Sequence, residues 1–569
     1  MAPRKVRVDA PSKRVVGIDF GTSTTVIAVR TDDGLPEVLP IGLGGARSWM
    51  PSVVSADGRA VGEEAEGLDN RLRSVKADLT FAEKDEPGLT RGPNGLSYDQ
   101  AVSHVEHIVR EAVDRAKRLN PDIFRDAKVF VGCPALWEGG NRKKIVEICR
   151  RLGLSVSVGA VLDEPVAAGV EWINAQWRDG NRVHGDVLIV DAGGGTLDVA
   201  YLRVAAPESS QNDPTPTITL LSAESTQESG DAIDRAVRDH LAGTSAGDLA
   251  SDLERAWMDA ARQLKEALSI ESEATINVAP PVSRVARLDQ EKLKDLAGKF
   301  LYESEKKVKH ASRASLLRGE FGKKTPSPME IRSRPWVEVA AKLDHVVVVG
   351  GVAHMPPFRE RVRSVFPNAE LHTVGQPQEI VARGLCYGET IIELNLPRPP
   401  VDFYAQVGDG PPIHIYKAFT PLYASQEIVR GHSHVGYRWS IETDSPVRIH
   451  AELPDVPGKK IRFKFTYRKD SDDTAVDFEV KGDTRCASGS VIFKLYATGE
   501  LLISGANKRY LLNVKDWAQT PASASLGWAA AAEQRDREEN PQHDDSTGDV
   551  RPIIWATDIA PDDPNYRRS

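Results

Sequence analysis

Cysteine is scarce, with four thiols in 569 residues (Cys133, Cys149, Cys386 and Cys486) and no CxxC spacing among them. That excludes a disulfide framework and gives no signature of a zinc or thiol-redox centre. The thiols read as buried or idle in a reducing compartment. Long apolar runs are missing too. No window approaches the ~20 apolar residues of a membrane-crossing helix, and no apolar stretch follows the basic start MAPRKVRVDAPSKR, which therefore does not read as a secretory leader. Nor is there a surplus of positive charge. The net charge is −9 and the isoelectric point about 5.9, against nucleic acid or an anionic membrane as main partner. Neither a basic aromatic platform for RNA nor an amphipathic basic helix occurs. What is present is ordinary for a globular chain, 40% hydrophobic and 27% charged residues. The length calls for roughly two to four domains of ~100–200 residues. A cytoplasmic protein is expected.

Residues 14–390 alternate strand and helix patterns, after a flexible start at 1–13. LNLPRPP then places three prolines in five residues, which neither a helix interior nor a central strand tolerates, so 391–402 reads as a linker. From 403 to 517 the pattern is mostly period-2, as in VRIHAEL, KIRFKFTYR and VIFKLYATGELLISG. Short strands separated by turn signals predict an antiparallel β domain. Residues 518–569 carry ten acidic and five basic side chains and so supply −5 of the net −9. This acidic tail is too poor in branched apolar residues to order itself. Ile553, Ile554 and Trp555 form an apolar island within it, a candidate docking segment.

Three glycine turns carry the chemistry. The first is RVVGIDFGTSTTVIAVR, an apolar strand ending in Asp19, the turn Gly21-Thr22-Ser23-Thr24, and a second apolar strand. DVLIVDAGGGTLDVAYLRV repeats the pattern with Asp191, Gly193-Gly194-Gly195-Thr196 and Asp198. In HVVVVGGVAHMPPFRERVRSVF a strand ends in Gly350-Gly351 and an amphipathic helix follows. The first two read as β-hairpins, so neither a P-loop nor a dinucleotide fingerprint applies. Tight glycine turns expose successive N–H groups to phosphate oxygens, threonine hydroxyls add donors, and a strand-end aspartate suits a hydrated Mg²⁺. Asp19 and Asp191 are 172 residues apart, and Asp191 and Gly350 are 159 apart. The spacing predicts duplicated halves facing one another across a cleft.

These turns, in this order, resemble the actin-like ATPase superfamily, and within it the 70-kDa heat-shock chaperones of the DnaK type. The resemblance extends over nearly all of 14–390. PSVV (51–54), VGEEA and NRLRSVK are similar to the chaperone stretch ending in its catalytic lysine, which falls on Lys76. VGCPALWEGGNRKKIVEICRRLGLSVSVGAVLDEPVAAGVEW looks like the strand, helix and glutamate-proline-alanine stretch that puts the hydrolytic glutamate on Glu164. The implied fold is α/β, a duplicated actin-like ATPase with ribonuclease H-like halves, followed by an antiparallel β-sandwich and a disordered tail. The implied cofactors are ATP or ADP, Mg²⁺ and K⁺. Phosphoryl transfer to water needs positioning and charge neutralisation more than covalent chemistry. Lys76 would orient the attacking water and Glu164 would hold it or accept its proton. Asp19 and Asp191 would fix Mg²⁺ through its waters, Thr22 and Thr196 would contact phosphates, and Asp198 matches a monovalent-cation position. Gly21, Ser23, Gly193, Gly194, Gly195, Gly230, Lys265, Ser269, Gly350, Gly351 and His354 complete the implied nucleotide site.

The adenosine half departs from the pattern. ARQLKEALS keeps Lys265 and Ser269, but Arg262 replaces the family's glutamate. Val352 and His354 follow Gly350-Gly351 where the family has a small polar residue and an adenine-stacking arginine, and Gln376 and Gln378 replace an asparagine and an aspartate. Histidine stacks but lacks the permanently charged fork, so weaker or less adenine-selective binding follows. The β domain resembles the family's peptide-binding sandwich more faintly, best in VIFKLYATGELLISG (491–505), with FTPLYA (419–424) similar to an earlier strand. The linker lacks the coupling leucine run, and no long helical lid follows Trp517. A lidless groove implies fast exchange and modest affinity. The implied partners are an unfolded or specific client polypeptide, a J-type co-chaperone and a nucleotide-exchange factor. Two alternatives stay open. One is a nucleotide-sensing scaffold with negligible turnover whose β domain and tail recruit a dedicated partner. The other is a small-molecule kinase of the same superfamily, which would need a base near a sugar pocket and has no use for the β domain.

Overall fold

The computed structural model describes residues 14–389, apart from 32–33, 83–91, 136, 138, 158–159, 206–215, 244–249 and 317–332. Beyond 400 it describes chiefly the backbone of strands between Val401 and Asn513 and at Val550–Trp555. Within 14–389 two sheets repeat one plan. In the first, β1 (Arg14–Phe20) pairs antiparallel with β2 (Thr24–Thr31). β3 (Glu37–Val38) and β4 (Trp49–Pro51) extend β2. On its other side β1 pairs in parallel with β5 (Lys128–Cys133), which pairs with β6 (Val161–Asp163). In the second sheet β7 (Gly185–Ala192), β8 (Leu197–Ala205) and β9 (Thr217–Thr226) form the antiparallel meander. There β10 (His345–Val349) and β11 (Glu370–Thr373) continue in parallel from β7. The predicted duplication and both predicted hairpins are present.

Local sequence explains the elements. β10, HVVVV, is β-branched and buried from its second residue, as a parallel strand covered on both faces should be. α1 (Val75–Phe81) brings Lys76 inward. α2 (Tyr98–Leu119) opens with a Ser97/Gln100 capping box and presents Val105, Ile108, Ala112 and Ala116 to the first core. α3 (Gly139–Arg151) follows β5. α4 (Glu164–Arg178) starts at Glu164-Pro165, with proline in the first turn where no N–H is needed. In the second half lie α5 (Gly230–Ala242), α6 (Ser251–Ala267), α7 (Gly298–Leu316), α8 (Pro356–Val365) and α9 (Ile380–Leu385). One apolar cluster joins Val15, Phe130 and Leu162 of the first sheet to Val187, Ile189 and Ala200 of the second through Ala167 and Val170 of α4 and Leu385 of α9. The two hairpin turns are therefore held on a shared core.

Beyond 400 the strands form two sheets. A four-stranded one runs Ile413–Tyr416, Val401–Val407, Ile461–Tyr467 and Val476–Glu479. The seven-stranded one is ordered Val435–Trp439, Gln426–Arg430, Val447–Leu453, Gly489–Leu495, Glu500–Ser504, Arg509–Asn513 and Val550–Trp555. Most ladders are antiparallel, but Gln426–Arg430 with Val447–Leu453 and Arg509–Asn513 with Val550–Trp555 are parallel. Period-2 alternation reports burial of one face and carries no information on the direction of the neighbour. The island at Ile553–Trp555 lies in a strand beside its own chain, so the expectation of disorder does not extend to Val550–Trp555. The proline-rich stretch 391–400 and the rest of the tail lie outside the described residues.

Candidate active site

Each hairpin closes in the same way. Gly21 N–H donates to the Thr24 carbonyl and Gly193 N–H to the Thr196 carbonyl, both at 2.9 Å. The turns then meet. A Cβ on Gly195 would stand 2.6 Å from Thr22 Oγ1, and one on Gly194 would run into Ser23 Oγ, so a side chain at either position would displace the hydroxyls of the first turn. The N-terminus of α5 docks on that turn, Gly230 N–H donating to Gly193 O at 3.1 Å and Asp231 N–H to Gly194 O at 2.7 Å. Gly350 closes the arrangement from β10. Its φ is +82°, and a Cβ there would collide with the Ala192 carbonyl and stand 2.6 Å from Asp191 Oδ1.

The chemistry-bearing side chains gather beneath these turns. Lys76 is buried and donates from Nζ to Glu164 Oε1 at 2.5 Å. Its ammonium lies 5.8 Å from the Phe20 ring centroid and 5.7 Å from that of Trp137, within reach of both ring faces. Asp191 and Asp198 stand opposite each other in the β7/β8 register, and Asp198 Oδ1 accepts from Ala135 N–H at 2.9 Å. The start of α4 is braced from behind. Arg142, fully buried, donates to Asp163 Oδ1 at 2.5 Å, to Val161 O at 2.7 Å and to Trp137 O at 3.0 Å, fixing the strand end just before Glu164.

Four carboxylates share this space with one ammonium. Burial, then the Glu164 charge, pushes Asp19 up to about 8 against the pull of Lys76. Asp191 is raised well above the carboxylate range by burial and by Glu164, Asp198 and Asp19. Asp198 rises to about 6, again by burial and then Glu164. Lys76 moves upward because Glu164 and Asp19 outweigh its burial, the largest single influence. A cluster whose carboxylates resist ionisation is short of positive charge. Its donors are hard oxygens, and a hydrated divalent cation of the Mg²⁺ type fits both the charge and the donor set.

A cleft of about 1030 Å³ opens beside the cluster, lined by Thr22, Lys76, Gly195 and Thr196 among the residues named from sequence. Lys265, Ser269, Gly350, Gly351 and His354 are not among its lining residues. Lys265 is drawn to Asp234 at 2.7 Å and donates to Gly230 O at 3.2 Å, while Ser269 donates back to Lys265 O at 3.1 Å. Arg262, the departure noted above, shares Asp234 with Lys265 at 3.3 Å. His354 is exposed at the end of its short turn. Sequence reasoning missed the charged lining of the cleft, where Arg71, Arg73, Arg235, Arg238, Arg255 and Arg262 alternate with Asp69, Glu228, Asp231, Asp252, Glu254 and Asp259. It also missed the bridges between the halves, Arg71 to Asp259 and Ser74 to Asp231. These pairs are 188 and 157 residues apart, and no local motif announces them.

A family model described as Hsp70 protein matches residues 107–393, half of the chain. The chain belongs to the Hsp70 family. Among its relatives are a "Chaperone protein HscA homolog" of Burkholderia multivorans (strain ATCC 17616 / 249) and one of Burkholderia ambifaria (strain MC40-6). Each is 28% identical over 399 residues, covering 66% of this chain and 58% of the relative. That of Burkholderia pseudomallei (strain 668) is 26% identical over the same span. The chain thus spans 58% of the length of these relatives. The matched region includes Glu164, Asp191, Asp198 and Gly350, whereas Lys76 and the first hairpin precede it. No helix among the described residues is long and apolar enough to cross a membrane.

Proposed function

We propose that the chain is a nucleotide-driven Hsp70 chaperone that binds ATP in the cleft between its two halves and hydrolyses it slowly to ADP and phosphate. The observation carrying this reading is the buried Lys76–Glu164 pair set among Asp19, Asp191 and Asp198 beneath two facing glycine turns. Bound Mg²⁺ would neutralise charge on the β- and γ-phosphates, held through its waters by Asp19 and Asp191. The turn N–H groups at 22–23 and 194–195, with the hydroxyls of Thr22 and Thr196, donate to phosphate oxygens. Lys76 orients the attacking water and Glu164 takes its proton as the new P–O bond forms and the β–γ bridging oxygen leaves with ADP. Asp198 is assigned to a K⁺ ion.

In the same reading 391–402 is the linker, 403–517 is a β-sandwich that holds a client polypeptide, and a J-type partner and an exchange factor time the cycle in the cytoplasm. The names of the relatives, chaperones of the HscA type, support the role. Arg262 in the adenosine half, which shares Asp234 with Lys265, favours a second reading, a nucleotide-sensing scaffold without turnover. Steady-state phosphate release by the full chain with MgATP, with and without a denatured polypeptide, separates the two. Slow release that the polypeptide raises several-fold supports the chaperone. Saturable nucleotide binding with no release under either condition overturns it in favour of the scaffold.

A further inference from the structure

At the far end of the strand that carries Gly350, three side chains converge on one point. His345 begins β10, and Glu370 and His372 lie on the edge strand β11. The parallel register sets His345 against Glu370 and Val347 against His372. All three side chains therefore emerge on one face of the sheet. His345 Nδ1 and His372 Nε2 are 3.1 Å apart, and Glu370 Oε2 lies 3.6 Å and 3.7 Å from them. The three ligand atoms fall within 4.8 Å of one another. Bonds of about 2.0–2.1 Å meeting at a tetrahedral angle place ligand atoms about 3.3–3.4 Å apart, and the three separations of 3.1, 3.6 and 3.7 Å fall on either side of that value.

The surroundings are those of a metal site rather than of a random surface pair. Trp172 of α4, buried, packs against both rings, its centroid 4.8 Å from that of His372 and 5.8 Å from that of His345. The indole fixes the ring planes and gives one side of the site an apolar wall. On the other side the Glu370 side chain is 68% exposed while the imidazoles are about one-fifth exposed (18% and 20%), which leaves an entry path and a fourth position for water. Two imidazoles and one carboxylate suit Zn²⁺ and its borderline neighbours and do not suit Mg²⁺.

We propose that His345, Glu370 and His372 form a divalent transition-metal site of the Zn²⁺ class, separate from the carboxylate cluster of the nucleotide cleft. In the β7/β10 register His345 pairs with Val187 while Val349 pairs with Asp191. The metal thus lies four residues, or ~13 Å of strand, from the position paired with Asp191. It pins edge strand β11 to the strand that ends at Gly350.

The test uses the chelator-treated full chain, saturating Mg²⁺ to occupy the hard-cation centre, and Co²⁺ as the probe. Two signals are expected on addition of one equivalent: a visible d–d absorption band of tetrahedral intensity, and quenching of tryptophan fluorescence. Zn²⁺ should displace both. His372→Gln and His345→Gln should lose the band, and Trp172→Phe should keep the band but lose the quenching. Glu370→Gln alters an exposed side chain and serves should either histidine variant fail to fold. It should weaken Co²⁺ at least about tenfold, since removal of even an outer-shell partner costs that much. MgADP affinity should be unchanged in every variant. No saturable band in the wild type, or an equal band in wild type and Glu370→Gln, would overturn the site.

Discussion

Glu164 has two neighbours that define its task. Lys76 donates to it directly, and the Arg142–Asp163 pair secures the strand end that precedes it. Removing its basicity without changing its size isolates the chemical role. Glu164→Gln is expected to slow single-turnover hydrolysis on the order of 10²–10⁴-fold, the usual contribution of a positioned proton acceptor, while ADP affinity measured by calorimetry changes little. Arg142→Ala removes the guanidinium from buried Asp163 together with the donors to Val161 O and Trp137 O, and should cost ~3–5 kcal/mol of stability, read from urea unfolding. His310 of α7 supplies a pH signature of the fold itself. Burial, then the charges of Lys307, Lys306 and Arg313, lowers it from 6.5 to about 4. A histidine depressed in the folded state binds its proton more readily once unfolded, so stability falls as pH drops from ~6.5 towards 4. The urea midpoint should fall less steeply over that window in His310→Gln than in the wild type.

At the scale of elements, the hairpins were legible because their signal is local. An apolar strand, an aspartate, a glycine turn and a second strand lie within about 17 consecutive residues and recur once. The structure adds why the second turn is so rich in glycine, since it abuts Thr22 and Ser23 across the cleft. Gly350→Ala meets both a positive φ and the Ala192 carbonyl. A loss of at least ~1–3 kcal/mol is expected from the backbone term, together with weakened nucleotide binding, measurable by thermal unfolding with and without ADP. The direction of the ladders beyond 400 was not legible, because alternation fixes a face and leaves the neighbour open. The His345–Glu370–His372 group was hidden for a related reason. Parallel strands need a crossover, so the residues β10 and β11 align are separated by α8, and neither HVVVV nor ELHT reads as a ligand motif.

For the whole molecule the decisive contacts are those between the halves. The cluster shared by both sheets fixes where the two hairpins can sit, while Arg71–Asp259 and Ser74–Asp231 fasten the rims of the cleft. Composition and spacing could announce two halves but not this clasp, whose partners meet only once both are folded. Arg71→Ala should let the halves part more readily and accelerate release of bound labelled ADP several-fold in a stopped-flow chase, with Glu164 chemistry intact. The proposed function requires that the buried lysine and carboxylates form a hydrolytic centre rather than a binding site alone. Single-turnover hydrolysis of radiolabelled ATP by wild type and Lys76→Ala, with nucleotide affinity measured alongside, tests it most directly. Slow turnover by the wild type, none by the variant, and affinities within a few-fold of each other are expected. Equal rates in the two proteins, or tight binding with no turnover in either, would contradict it.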